Sequence, residues 1–309
     1  MENVLEIQGL SQKFGHHYVL KDINLTIQKG DIYGLIGRNG AGKTTLLKLI
    51  TQLLIPTQGT IALFGSQNSH ELTQALKQAG SVIETPVAYD HLTAKQNLAY
   101  YCKLRGIVNA KAVIQETLEF VQLDQTGNKK FKNFSLGMKQ KLGIAIALLT
   151  RPDFLILDEP INGLDPLAIV EFRKLIKRLN QEKGMTIIIS SHILEELYQV
   201  ANRFGIINDG VLVKEISKSD FDRLSQDYII LETSQPSLAS QYIQDQLHHQ
   251  IKVIDDHTIH IFGQAHLINP IIQALVKADI PVDGIYYSKL NLEAYFTDLV
   301  TNTKEEFTC

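Results

Sequence analysis

Residues 37–45 read Gly37-Arg38-Asn39-Gly40-Ala41-Gly42-Lys43-Thr44-Thr45, and they constrain the fold more than any other stretch. They match G-x-x-x-x-G-K-[ST], the phosphate-binding loop. Glycines let backbone N–H groups turn inward on phosphate oxygens, Lys43 supplies a point charge for the β- and γ-phosphates, and Thr44 offers a hydroxyl to Mg²⁺. The flanks agree. Asp31 to Ile36 reads as a short buried strand, and Thr44 to Leu54 carries apolar residues at helical spacing. The loop therefore joins a strand to a helix N-terminus, where orphan N–H donors and the helix dipole favour an anion.

A second acidic signal lies downstream. Phe154-Leu155-Ile156-Leu157 reads as a buried strand that ends in Asp158-Glu159. In an open α/β sheet, ligands bind at that end of the strands. Asp158 is placed to hold Mg²⁺ through water, and Glu159 to polarise an attacking water. Met185 to Ser190 is a further apolar strand, followed by Ser191 and His192, and a histidine at that end can reach a γ-phosphate. Phe14, before Gly15, either stacks on a base or packs as an edge aromatic. Asn133 to Leu142 runs into an Ala/Leu-rich helix, and Ser135 there is either a phosphate contact or a simple N-cap.

The remaining elements follow from periodicity. Strands are expected at Val4–Gln8, Asp22–Ile27, Thr60–Phe64 and Ser81–Glu84. Helices are expected at Thr93–Arg105 and Ala110–Val121, with Thr93 and Asn109 as N-caps, and at Leu167–Asn180. His16 and His17 fall in a turn, and Lys129-Lys130-Phe131-Lys132 reads as a solvated loop. Arg203–Asn208 and Val211–Glu215 form a hairpin about Asp209-Gly210. Beyond residue 220 the order is βαββαβ, then an amphipathic helix at Asn291–Val300 with Leu292, Tyr295, Phe296 and Leu299 on one face.

Charge sets the domain boundary. Residues 1–219 hold 25 Lys/Arg against 20 Asp/Glu, whereas residues 220–309 hold 5 against 13, so the chain is expected to divide near 219/220. The net charge of −3 predicts no nucleic-acid partner. Two cysteines make no disulfide framework and point to a reducing compartment. The N-terminal residues have neither the basic start nor the apolar core of a signal peptide. The longest apolar run, Leu142 to Leu149, is far short of a membrane span.

With these pieces in order, residues 1–215 resemble the ATP-binding subunit of an ABC transporter. The resemblance implies an α/β P-loop NTPase core with an inserted helical subdomain over about 86–150, while the βαββαβ order beyond residue 220 suggests a small α+β, ferredoxin-like C-terminal domain. The resemblance also implies that Phe14 stacks on adenine and that Gly37 to Thr45 is the Walker A loop. Phe154 to Glu159 corresponds to Walker B, Asn162 to Asp165 to the D-loop with Asp165 at the nucleotide, and His192 to the switch histidine. Ser135 and Gly137 stand in the family signature, with Leu136 and Met138 in place of its usual Gly and Gln. Glu84 replaces the family's Q-loop glutamine, and is either a water-mediated Mg²⁺ ligand beside Thr44 and Asp158 or a residue coupling ATP state to a membrane partner.

The implied catalytic residues are Glu159, His192 and Lys43, and the implied ligands are ATP and Mg²⁺. Both half-sites are present in one chain, so a homodimer is expected. A separate transmembrane permease is the expected partner, holding the chain on the inner face of the membrane. The variant signature, Glu84 and the Leu292-Glu293-Ala294-Tyr295-Phe296 tail are similar to bacitracin-type and lantibiotic self-protection exporters. The alternatives are export of another solute, or a soluble ABC ATPase acting on ribosomes or DNA.

Overall fold

The computed structural model describes residues 2–67, 69–224 and 228–288. It has two compact units, Met1–Lys218 and Ser219–Cys309. The amphipathic stretch at 291–300 lies outside the described residues.

The first unit opens with two long antiparallel strands, β1 (Asn3–Phe14) and β2 (His17–Gln28), joined by a turn at Gly15-His16. Both run well beyond the stretches that periodicity marks, because irregularities near Leu10 and Gln12 break the alternation. His17 is therefore the first residue of β2 rather than part of the turn. Then come β3 (Ile32–Ile36), α1 (Lys43–Ile50) and β4 (Gln58–Leu63). Strand β4 pairs with β1, giving a three-stranded antiparallel sheet in the order β2-β1-β4. Helix α1 stops at Ile50, short of Leu54, with Thr51 as C-cap and Gln52 at φ +57°.

Next are α2 (Ser69–Ala75), which the sequence reading did not identify, and β5 (Ala79–Val82). Three helices follow: α3 (Ala94–Leu104), α4 (Ala110–Phe120) and α5 (Leu136–Leu148). At α3 the Thr93 hydroxyl accepts from Gln96 N–H, and the Gln96 side chain accepts from Thr93 N–H. That is a complete capping box. Asn109 occupies the N-cap position of α4 but sits in the left-handed region and makes no side-chain cap. The basic run is not simply a solvated loop, since Phe131 is buried and the N–H groups of Phe131 and Lys132 donate to Leu92 O and Asp90 O.

The core sheet is completed by β6 (Phe154–Leu157), α6 (Pro166–Lys183), β7 (Thr186–Ser191), α7 (Leu194–Tyr198), β8 (Arg203–Asn208) and β9 (Val211–Ser217). Its order is β5-β6-β7-β3-β8-β9, with every neighbouring pair parallel except β8 and β9. Every residue of β3, β6 and β7 is buried, as expected for parallel strands covered on both faces. One consequence governs the site. Strands β6, β7 and β3 are adjacent and parallel, so their C-terminal ends emerge side by side.

After α8 (Lys218–Leu224), the second unit contains β10 (Tyr228–Glu232), α9 (Pro236–Leu247), β11 (Ile251–Val253), β12 (Thr258–Phe262), α10 (Ile268–Lys277) and β13 (Gly284–Ser288). The sheet order is β11-β12-β10-β13, antiparallel throughout. Alternate strand residues Ile229, Leu231, Ile259 and Ile261 pack with Ile243 of α9 and with Ile271 and Leu275 of α10 in a separate core.

Candidate nucleotide site

The loop from Gly37 to Gly42 leaves β3 and enters α1. Its backbone is crowded on the inside. A Cβ at Gly37 would lie 2.5 Å from Ile207 O, and one at Gly42, whose φ is +106°, would lie 2.6 Å from Leu20 Cδ2. No side chain fits either position. Arg38, Asn39 and Gly40 face solvent, while Ala41 and Gly42 are buried. Gly42 caps α1 without a side-chain bond, and the first turn carries no acidic residue. The first-turn N–H groups at Lys43, Thr44 and Thr45 thus keep the donors that a helix start cannot satisfy internally.

Lys43 is only 5% exposed. Its ammonium donates to Gly37 O at 2.7 Å and to Arg38 O at 3.1 Å, inside the curl of the loop. It also lies 3.0 Å from Glu159 Oε1. That contact is an ion pair, not an aligned hydrogen bond, since Oε1 accepts none.

Around this ammonium the strand ends converge. Thr44 Oγ1 donates to Asp158 Oδ2 at 2.8 Å. His192 Nδ1 is 2.9 Å from Glu159 Oε2. An ionised carboxylate only accepts, so this bond requires the imidazole proton on Nδ1. Glu159 has φ +45°, an uncommon conformation for a residue with a side chain. It turns the chain out of β6 so that Asp158 and Glu159 serve different partners. Sequence positions 43, 44, 158, 159 and 192 are thereby brought into one cluster.

The sequence reading missed Ser190 as a member of this cluster. The Ser190 hydroxyl donates to Asp158 Oδ1 at 2.7 Å and accepts from Glu159 N–H at 2.9 Å. It is fully buried, so nothing but these two residues accounts for a polar group at the end of an isoleucine run. That burial was the available signal: a serine closing Ile187-Ile188-Ile189 needs a partner. Ser190→Ala removes a bond to a charged acceptor and strands the Glu159 N–H. We expect kcat to fall by roughly 10- to 150-fold, following a loss of about 1.5–3 kcal/mol per such bond, with ATP affinity nearly unchanged. Phosphate-release kinetics and nucleotide titration read the two quantities separately.

Five expected residues lie outside this cluster. Phe14 ends β1 and is 47% exposed. Glu84 lies two residues beyond β5 at φ +62°, and its carboxylate pairs with Lys48 at 2.5 Å. Ser135 caps α5, accepting from Met138 N–H at 3.3 Å. Asp165 caps α6, accepting from Ala168 N–H at 2.9 Å. Gly137, in the first turn of α5, packs where a Cβ would meet Ala168 Cβ at 3.2 Å.

The family model described as "ABC transporter" matches residues 20–162. A bacitracin transport ATP-binding protein of Enterococcus faecalis is 40% identical over 300 residues, covering 97% of each chain. A lantibiotic transport ATP-binding protein of Streptococcus pyogenes is 41% identical over 232 residues, covering 74% of this chain and 99% of the relative. Among solved structures, a dimeric ATP-binding cassette in a post-hydrolysis state bound to ADP and Pi superposes with a TM-score of 0.62. It is 26% identical, covering 69% of this chain and 98% of that one.

Proposed function

The chain belongs to the ATP-binding subunits of ABC transporters, and from that premise we propose that its ATP hydrolysis drives export of an antimicrobial peptide or similar hydrophobic compound, conferring resistance. The observation that carries this reading is the full-length likeness to a bacitracin transport protein, through both units. The lantibiotic relative parallels about three quarters of the chain. In this reading residues 1–219 are the ATP-binding domain, with the helical subdomain at about 86–150. Residues 220–309 are an accessory domain, and the strand order of the second unit supports a ferredoxin-like assignment.

In this reading each residue takes a role that the geometry of the cluster, or the resemblance, supports. First-turn N–H groups of α1 and Lys43 bind the triphosphate, and Phe14 supports the adenine. Glu159, held from two sides by Lys43 and His192, orients the attacking water. Thr44 Oγ1 and Asp158 Oδ2 are hard oxygen donors that converge within 2.8 Å. A hydroxyl and one carboxylate, with waters and phosphate oxygens completing the shell, suit Mg²⁺. When bound, Mg²⁺ would help neutralise the charge on the phosphates. Ser135 and Gly137 of a partner subunit would close the site, which makes a homodimer the working unit. In this reading a separate permease carries the substrate, with this subunit docked on its inner face; among the described residues no helix is long and apolar enough to cross a membrane.

Glu84 fits a coupling role better than a metal role, because its recorded partner is Lys48 at 2.5 Å. An exposed pair of this kind contributes about 0–1 kcal/mol, so it breaks readily. We expect Glu84→Ala to keep the purified subunit's ATPase rate within a few-fold, on the order of 1 kcal/mol in barrier, while transport by the assembled complex fails. Loss of the subunit's own turnover would instead place Glu84 at the metal.

The proposal is tested by co-expressing the chain with its membrane subunit in sensitive cells challenged with bacitracin or with a lantibiotic. Survival should rise with the native chain and not with Glu159→Gln. An assembled, ATP-hydrolysing complex that protects against neither would overturn the substrate class and leave export of another solute.

A further inference from the structure

Strand β2 is an edge strand, paired only with β1 in its sheet, and its free side lies on the phosphate loop. Lys21 N–H donates to Gly210 O at 2.8 Å, and Gly210 N–H donates to Ala41 O at 3.2 Å. The approach is close enough to exclude side chains. A Cβ at Gly42 would lie 3.0 Å from Val19 O, and a Cβ at Gly210 would lie 2.3 Å from the same oxygen. Three segments distant in sequence thus meet backbone to backbone: Val19–Lys21, Ala41–Gly42 and Asp209–Gly210. The last is the two-residue β8–β9 turn, with both residues at positive φ, +47° and +80°, as a type I′ hairpin requires. It belongs to the core sheet and offers a rigid anchor.

The same end of β2 carries the β1–β2 turn, where Phe14 pairs with His17. Two residues of strand, about 7 Å at 3.3 Å per residue, separate His17 from Val19. We propose that the Lys21–Gly210–Ala41 bonds are a staple that fixes the base-supporting tip at a set distance from the phosphate loop. Gly210 is then a positioning residue for ATP, although it touches no part of the nucleotide. The proposal rests on the reading that Phe14 supports the base. Its physical content is bivalency: base and triphosphate reinforce each other only while their two subsites are held in register.

The test is calorimetric titration of the full chain with MgATP and with magnesium tripolyphosphate, which fills the phosphate loop alone. Lys21→Pro removes the N–H donor at an edge position, where proline is tolerated. Gly210→Ala is an independent route, because its Cβ would strike Val19 O. Thermal unfolding confirms that each variant is folded. Each should lose roughly tenfold in ATP affinity, the worth of one base-stacking contact, and keep tripolyphosphate affinity within twofold. Phe14→Ala should show the same pattern, and adding Lys21→Pro to Phe14→Ala should cost nothing further. Equal losses for both ligands, or additive losses in the double variant, overturn the staple. A loss in Phe14→Ala without one in Lys21→Pro overturns the staple alone. Unchanged ATP affinity in Phe14→Ala removes the base-support reading and the staple with it.

Discussion

Glu159→Gln is expected to lower kcat by about 10²–10⁴-fold, the usual worth of a positioned general base, while ATP still binds. The amide has the length of the carboxylate but can neither draw a proton from water nor carry charge. The fold should survive. Lys43 keeps its bonds to Gly37 O and Arg38 O, so the buried ammonium is not left without acceptors, and His192 Nδ1 can still donate to the amide oxygen. With hydrolysis blocked and binding intact, the ATP-bound dimer should accumulate. Size-exclusion chromatography with ATP, beside a phosphate-release assay, reads both effects. Turnover near the native rate would remove Glu159 from the mechanism.

Lys43→Ala should lower kcat/KM for ATP by about 10²–10³-fold, as when one preorganised donor to a developing anion is removed. Here binding fails together with chemistry, which separates this variant from Glu159→Gln. Lys43→Arg should not rescue it. The Nζ position is enclosed by two loop carbonyls and a carboxylate, and a planar guanidinium has neither the size nor the donor directions of an ammonium. Lys43→Ala also leaves the Glu159 carboxylate with His192 as its remaining side-chain partner. A drop in melting temperature should therefore accompany the lost affinity. Calorimetric binding that matches the native chain would rule out the assigned role.

The chemistry-bearing residues were legible because their demands are local. A phosphate loop needs glycines, one cation and one hydroxyl within nine residues, and Gly37 to Thr45 meets that demand in any fold. Apolar runs ending in Asp158-Glu159 and in Ser190-Ser191-His192 declared buried strands with polar C-termini. The alternating stretches and the helix periods likewise needed only near neighbours, as did the N-cap at Thr93.

What lay beyond the sequence depended on contacts between distant segments. No local pattern says that β7 lies between β6 and β3, yet that order is what brings positions 43, 158, 159 and 192 within hydrogen-bonding reach. Ser190 read as one more strand residue until Asp158 and Glu159 were seen on either side of its hydroxyl. Strands β1 and β2 ran longer than their alternation because pairing tolerates bulges that periodicity does not. The one-turn helix α7 and the seven-residue α2 fell below the length at which a helical period can be read. The sequence by itself determined which groups this protein brings to a triphosphate, since that is a matter of side-chain and backbone chemistry. The tertiary structure alone decided their distances and pairings, because strand order and crossover are set by burying the whole core and not by any one segment.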